Sequence, residues 1–493
     1  MAETTSYKRI FKSTALFGFV QIFNIITRAA INKIVAVLLG AEGMGIIGLM
    51  NSSLNMLKTG AGLGISQSAV KDIAEANEKN DSASFSETIN VVNKIVLYTA
   101  LLGLVITVGL SPWLSEWAFD SDQYILSYIL LSLAVAFSIY SEGQLAILKG
   151  MRRLRALAKA SMAGSAAGLI VAFPFYYMWG NDGIVPSLIA VALASLLFSN
   201  YYVRKIKYQR QKLGHRKLFG SAHSMIQMGV ALMFVNFMGF FFDVIVSAYM
   251  THSGGLEMVG YYHAGTTIIG GYFSIVLTAM STDYYPRIAA VSNDNKRIAE
   301  EMNRQSELGL LLIFPLVIAF IFLSKFFIRL LYDSSFEISN QYTDYALIGI
   351  ILTVVSNNLG MILLAKQAAK IFLISVIVQR VVMIGVYFMM YSYLGLFGLG
   401  CAFIANGLLH LGVMIFVLKL NYNIVVSRRT FSLLLTVLIV SIFTLLLRLI
   451  ENLTLQYLCG CIVFISSIVL SACYMKYAMK LDIINFIKSR IHR

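Results

Sequence analysis

Apolar runs of about twenty residues recur along nearly the whole chain, and a run of that length is what an α-helix needs to cross ~30 Å of hydrocarbon. We read fourteen spans, at roughly 13–39, 44–68, 91–110, 122–148, 158–178, 184–203, 221–250, 257–283, 305–325, 342–365, 371–393, 396–418, 430–449 and 455–475. They consume so much of the 493 residues that no room is left for a soluble catalytic domain. Only 13% of the chain is charged, against about 25% in a soluble domain. The chain therefore reads as an all-α integral membrane protein, and its net charge of +15 does not point to nucleic acid.

That charge reads first as topology, because Lys and Arg stay on the cytoplasmic side. With the N-terminal tail inside and the spans alternating, 31 of the 39 Lys and Arg fall on inner segments and 3 on outer ones. The asymmetry predicts an even span count and cytoplasmic termini in a bacterial inner membrane. Met1–Lys12 reads as a short basic tail, not a cleaved leader. The outer loops are short, and Trp113 and Trp117 sit where interfacial aromatics belong. Cys401, Cys459, Cys461 and Cys473 all lie in apolar segments, so neither a disulfide framework nor a metal site is expected.

A shift of 215 residues lays Ala41–Gly48 on Leu256–His263, matching Glu42 with Glu257 and Gly45 with Gly260. The same shift matches Ile73 with Ile288 and carries spans 1–6 onto spans 7–12. An even number of spans makes the halves parallel repeats about a pseudo-twofold axis along the membrane normal. The expected organisation is a six-helix bundle at 1–203, a basic cytoplasmic linker at 204–219 and a second six-helix bundle at 220–419. A further helix pair with a basic tail follows at 420–493.

Ionisable and amide side chains inside the spans are costly and mark functional candidates. On span 1, Gln21, Asn24, Arg28 and Asn32 fall at helical spacing on one face, with Lys33 beside it. Asn51, Asn55 and Lys58 do the same on span 2. Gln379 and Arg380 lie mid-span 11, and Asn406 and His410 share a face of span 12. The acidic counterparts are Glu142 on span 4 and Asp243 on span 7, the latter on one face with Asn236. The 215-residue shift places Arg28 on Asp243, so the two could face each other across a pseudo-symmetric centre.

Plainer readings stand beside these. Amide and hydroxyl stripes also serve to glue helices together, Lys58 could snorkel from the inner end of span 2, and Glu142 could pair with Lys149 or Arg152. The run Gly60-Ala-Gly-Leu-Gly64 reads as close helix packing, not a phosphate loop. No HExxH, GxSxG or other nucleophile–base set is present. The chain is thus expected to be no enzyme. A membrane polymerase or ligase would need a substantial outer loop bearing catalytic residues.

The segment Leu38–Glu75, with Leu39, Gly40, Gly43 and Gly45 and then Gly62, Gly64 and Lys71, resembles the span 1–2 region of bacterial O-antigen translocases. These Wzx polysaccharide flippases belong to the MOP (multidrug/oligosaccharidyl-lipid/polysaccharide) exporter superfamily. Gly255–Ala289, with Gly260–Tyr262 and Tyr285–Pro286, is similar to the corresponding element of the second half. The resemblance implies two six-helix bundles around a central cavity that opens alternately inward and outward. It implies an undecaprenyl-diphosphate-linked oligosaccharide as cargo, with membrane lipids and a polysaccharide polymerase and chain-length machinery as partners. Many polysaccharide members have twelve spans; the lipid II flippases have fourteen, their extra pair helping to form a groove for the lipid tail.

With an anionic cargo of this kind, Arg28, Lys33, Lys58 and Arg380 are the expected diphosphate partners, since a guanidinium fork matches phosphate oxygens. Gln21, Asn24, Asn32, Asn51, Asn55, Asn236 and Gln379 suit sugar hydroxyls. Asp243 and Glu142 are candidates for H⁺ or Na⁺ coupling or counterions to the cations, and no other cofactor is expected. A MATE-like drug/cation antiporter is the competing reading; a cationic drug would prefer an acidic cavity, and these spans carry more basic than acidic groups.

Overall fold

The computed structural model describes residues 2–78, 82–209 and 215–479. Part of the expected linker, residues 210–214, and most of the basic tail, residues 480–493, lie outside the described residues. The elements are α1 (Ala2–Ala61), α2 (Ile65–Glu78), α3 (Ser82–Phe119), α4 (Ile125–Gly150), α5 (Leu154–Trp179), α6 (Ile184–Arg204) and α7 (His215–Thr266). They continue as α8 (Ser274–Ala290), α9 (Asn295–Phe322), α10 (Ser324–Leu331), α11 (Asn340–Ala365), α12 (Ala369–Tyr422), α13 (Arg428–Leu446) and α14 (Leu453–Cys473). No strand occurs among the described residues. An all-helical chain satisfies every backbone group within its own segments, as hydrocarbon requires.

Among the described residues, ten helical stretches are long and apolar enough to cross a membrane. Four of them, Phe19–Ala61, Leu154–Arg204, Met225–Phe273 and Ala369–Tyr422, run 43, 51, 49 and 54 residues. At ~1.5 Å per residue the shortest would reach about 65 Å, twice the apolar thickness of a bilayer. Each is broken midway by a glycine: Gly40 (φ 67, ψ −161), Gly180 (φ 54, ψ −130), Gly255 (φ 82, ψ 173) and Gly395 (φ 59, ψ −140). These torsions are close to forbidden for a side-chain-bearing residue. A Cβ added at any of the four would meet nothing within 4 Å, so torsion, not space, demands glycine there. Gly40 and Gly255 are 215 residues apart, and so are Gly180 and Gly395. The repeat, sparse in the letters, is carried by the backbone. The expected count of fourteen crossings takes each of these four stretches as two.

By packing, the chain divides into Met1–Tyr261 and Tyr262–Arg493. In the first unit, α3 packs on α4, α5 on α6, α4 on α6 and α1 on α5. Small residues allow the approach: Gly143 lies against Val96, Gly164 against Ser195 and Gly168 against Val191. Short hydroxyl bonds fasten the pairs, Ser53 to Tyr128 at 3.0 Å, Ser141 to Ser199 at 3.2 Å and Ser187 to Tyr176 at 2.8 Å. The pseudo-equivalent Gly45 and Gly260 meet at backbone contact; a Cβ on Gly45 would fall on the Leu256 carbonyl, and one on Gly260 on that of Ala41.

The second unit is built around α11, most of whose residues are buried between α12 and α9. Asn358 bonds Ser306 at 3.2 Å and its carbonyl accepts from Tyr284 at 3.1 Å, tying α8, α9 and α11 together. The α13–α14 pair packs on α9. Its outward faces expose Phe431, Ile439, Phe443, Ile462 and Ile465, the residue types a lipid-facing surface calls for.

Candidate functional site

Beyond the Gly40 break α1 descends through Asn51 and Asn55 to Lys58, then ends in a tight turn at Gly60–Gly64. Leu63 and Gly64 both have positive φ, 50° and 63°. A Cβ on Gly64 would land on the Gly229 carbonyl of α7, and one on Gly60 would press on Phe237. The glycine run thus serves close packing, as its composition suggests, and it also turns the chain into α2. The turn opens a small, partly open cleft of about 40 Å³, lined by Lys58, Thr59, Ser66, Gln67, Thr99 and Glu142 with glycine and apolar neighbours. Across it Lys58 Nζ donates to Glu142 Oε1 at 2.8 Å.

Depth separates the candidates. Arg28 lies twelve residues before Gly40, about 18 Å along the helix, which is past the midpoint of ~30 Å of hydrocarbon. Asp243 holds the same position relative to Gly255. Lys58 lies eighteen residues past Gly40, about 27 Å, and so near the opposite boundary. A charge there needs less from the protein than one at mid-membrane, and Glu142 supplies it. Of the alternative partners for Glu142, Arg152 pairs instead with Glu78 at 2.9 Å.

Arg28 is exposed on α1. No ion pair joins it to Asp243 among the described residues, contrary to the pairing the repeat suggested. Asn24, one turn before Arg28, is glue: its amide donates to Ser161 at 3.2 Å and accepts from Ser165 at 2.9 Å, both on α5. Gln21 is exposed; Asn32, Asn51 and Asn55 are half-buried. Lys33 is half-buried, Asn236 and Asp243 are exposed, and all three interact with neighbouring groups.

In the second unit Gln379 donates to Asn406 at 2.8 Å, and His410 Nδ1 meets Ser356 Oγ at 2.9 Å. Arg380, half-buried and also interacting with its neighbours, follows Gln379 on the same helix. The site residues therefore form two sets, one around α1, α4 and α7 and one around α11 and α12.

Among the ion pairs that sequence reasoning missed in the second unit, two hold α13. At one end of α13, Arg429 reaches the buried Glu307 at 3.3 Å, and Thr430 donates to Glu307 at 3.1 Å and to Asn303 at 2.8 Å. Past its other end, Arg448 binds the buried Asp344, Ser324 and the Ile321 carbonyl. Glu307 and Asp344 are charges near span ends that read as boundary residues in a linear sequence. Each has its partner more than a hundred positions away, so no local spacing could flag them. No cluster of three or more His, Cys, Asp or Glu able to hold a metal occurs among the described residues.

Residues 34–341 match the model of the family described as polysaccharide biosynthesis protein. The chain is 20% identical over 360 residues to the lipid III flippase of Escherichia coli (strain K12), covering 71% of this chain and 83% of that one. Among solved structures it resembles the lipid II flippase MurJ in an inward closed conformation, with a TM-score of 0.72 and 14% identity over 96% of this chain and 100% of that one. It also resembles an inward-facing multidrug resistance MATE family transporter of the MOP superfamily, with a TM-score of 0.61 and 15% identity over 83% and 95% of the two chains. All three are transporters by name, and the fold is theirs. The chain belongs to the polysaccharide biosynthesis protein family, a multi-pass membrane protein with the fold these transporters share.

Proposed function

We propose that the protein is a flippase that moves an undecaprenyl-diphosphate-linked oligosaccharide, an O-antigen-like repeat unit, from the cytoplasmic to the outer leaflet of the bacterial inner membrane. The observation that supports this reading is the exposed guanidinium of Arg28 on α1, the helix that also carries Lys58 into a cleft lined by hydroxyl and amide side chains, where Glu142 pairs with it. A diphosphate head needs cations along its path, its sugars need hydroxyl and amide partners, and its tail can stay in lipid. Arg28, Lys33, Lys58 and Arg380 serve the diphosphate. Of the amides, Asn51, Asn55, Asn32 and Gln21 remain for sugar, while Asn24 and Gln379 act through the helices they tie. The bundles alternate access, and H⁺ or Na⁺ coupling through Asp243 supplies direction. Both termini are cytoplasmic, and polymerase and chain-length proteins take the product.

A lipid II-type cargo is the second reading, favoured by the α13–α14 pair and by the full-length likeness to MurJ. The excess of cations over carboxylates in the spans argues against a MATE-like exchange of cationic drugs. Transport of defined undecaprenyl-diphosphate oligosaccharides in proteoliposomes, with pH and Na⁺ gradients varied separately, tests the reading. Absence of transport for every lipid-linked sugar, alongside uptake of a cationic dye, would overturn it.

A further inference from the structure

Lys58 and Glu142 contribute unequally to their ion pair. The Lys58 side chain is only 21% exposed, whereas that of Glu142 is 46% exposed. A mostly buried ammonium left alone is costly, and a carboxylate with half its surface in water is not. The cation is therefore held and the anion is free to leave. Among the described residues, the rest of the wall, contributed by α1, α2, α3, α4, α7 and the turn between α1 and α2, holds no other titratable side chain. Thr59, Ser66, Gln67 and Thr99 line the same cleft and bring hydrogen-bonding groups to it.

We propose that Glu142 is an internal stand-in for the cargo's phosphates. It neutralises Lys58 while the cavity is empty, and an isoprenyl diphosphate must displace it in order to bind. The inference rests on the diphosphate reading above and adds a specificity rule to it. A ligand with a single weak negative charge does not outcompete a carboxylate already in place, whereas a diphosphate does, with more charge and more acceptor oxygens. The displaced Glu142 turns to solvent, and the salt bridge between α1 and α4 is exchanged for one between α1 and the cargo. Charge in the cavity thus stays compensated when it is empty.

The test is binding of farnesyl diphosphate and of inorganic pyrophosphate to the purified full-length protein in detergent. Wild type is compared with Glu142→Gln, Lys58→Gln and the double variant, with Lys58→Arg as a charge-preserving control for folding. Removing the internal competitor is expected to tighten binding by about fivefold, the worth of a partly exposed ion pair. Lys58→Gln loses most of the binding, Lys58→Arg retains it, and adding Glu142→Gln to Lys58→Gln changes nothing further. The same pattern with pyrophosphate assigns recognition to the phosphates and supports the proposal. Equal tightening by Glu142→Gln with and without Lys58 overturns it, because that is general repulsion. Diphosphate binding insensitive to both side chains overturns it while leaving the flippase reading standing. Failure of every form to bind either ligand removes the diphosphate reading and the inference together.

Discussion

A guanidinium in the apolar interior is tolerated where water or an anion reaches it, and Arg28 is exposed on α1 with no ion pair among the described residues. Arg28→Ala and Arg380→Ala are expected to reduce surface-polysaccharide export in a deletion strain while protein levels stay near wild type. Full display by both variants would refute their assignment to the cargo path. Because Arg28 and Asp243 do not pair, the exchange Arg28→Asp with Asp243→Arg is expected to restore no more export than either single change. Rescue in that experiment would mean the two meet in another state of the transport cycle. At this scale the sequence was informative about which residues are charged at depth, since hydropathy exposes them directly. It was silent on what they touch. Asn24 and Arg28 share a face by spacing, yet one is bonded to α5 and the other is not.

Among the elements, α13 is fastened by ion pairs at both ends, through Arg429 and Glu307 and through Arg448 and Asp344. Removing one partner of a buried pair strands the other, at a cost of about 3–5 kcal/mol. Arg448→Ala is expected to lower the thermal midpoint in detergent clearly more than Arg429→Ala, because Arg448 is 25% exposed and Arg429 49%. Equal, small shifts would show that lipid contacts, not these bonds, hold the helix pair. The helices themselves were legible, since runs of apolar residues with polar joints need no tertiary information. Their breaks were not. Glycine alone does not announce a turn, and Gly103 and Gly143 sit inside unbroken helices. What distinguishes Gly40, Gly180, Gly255 and Gly395 is the torsion, which only coordinates reveal. Alanine at any of them is expected to cost about 1–3 kcal/mol from strain alone, measurable as a lowered unfolding temperature. Alanine at Gly45 or Gly260 acts differently, by forcing backbones apart.

For the whole molecule, class and orientation follow from the distribution of Lys and Arg, because the membrane sorts charge independently of tertiary detail. Single cysteines placed beside Lys71, Arg204 and Arg297 should react with a permeant thiol reagent and not with an impermeant one in intact cells. Cysteines beside Asp182 or Glu257 should react with both, and the reverse pattern would invert the topology. The choice of cargo was not legible in the same way, since it depends on which side chains share a cavity and which are occupied by one another. The four broken helices have a further consequence. Side chains along a repeated sequence are free to diverge, whereas a position whose torsions strain any Cβ resists replacement. The two matched glycine pairs, each 215 residues apart, thus write the internal repeat in backbone angles where the residue letters match only sparsely.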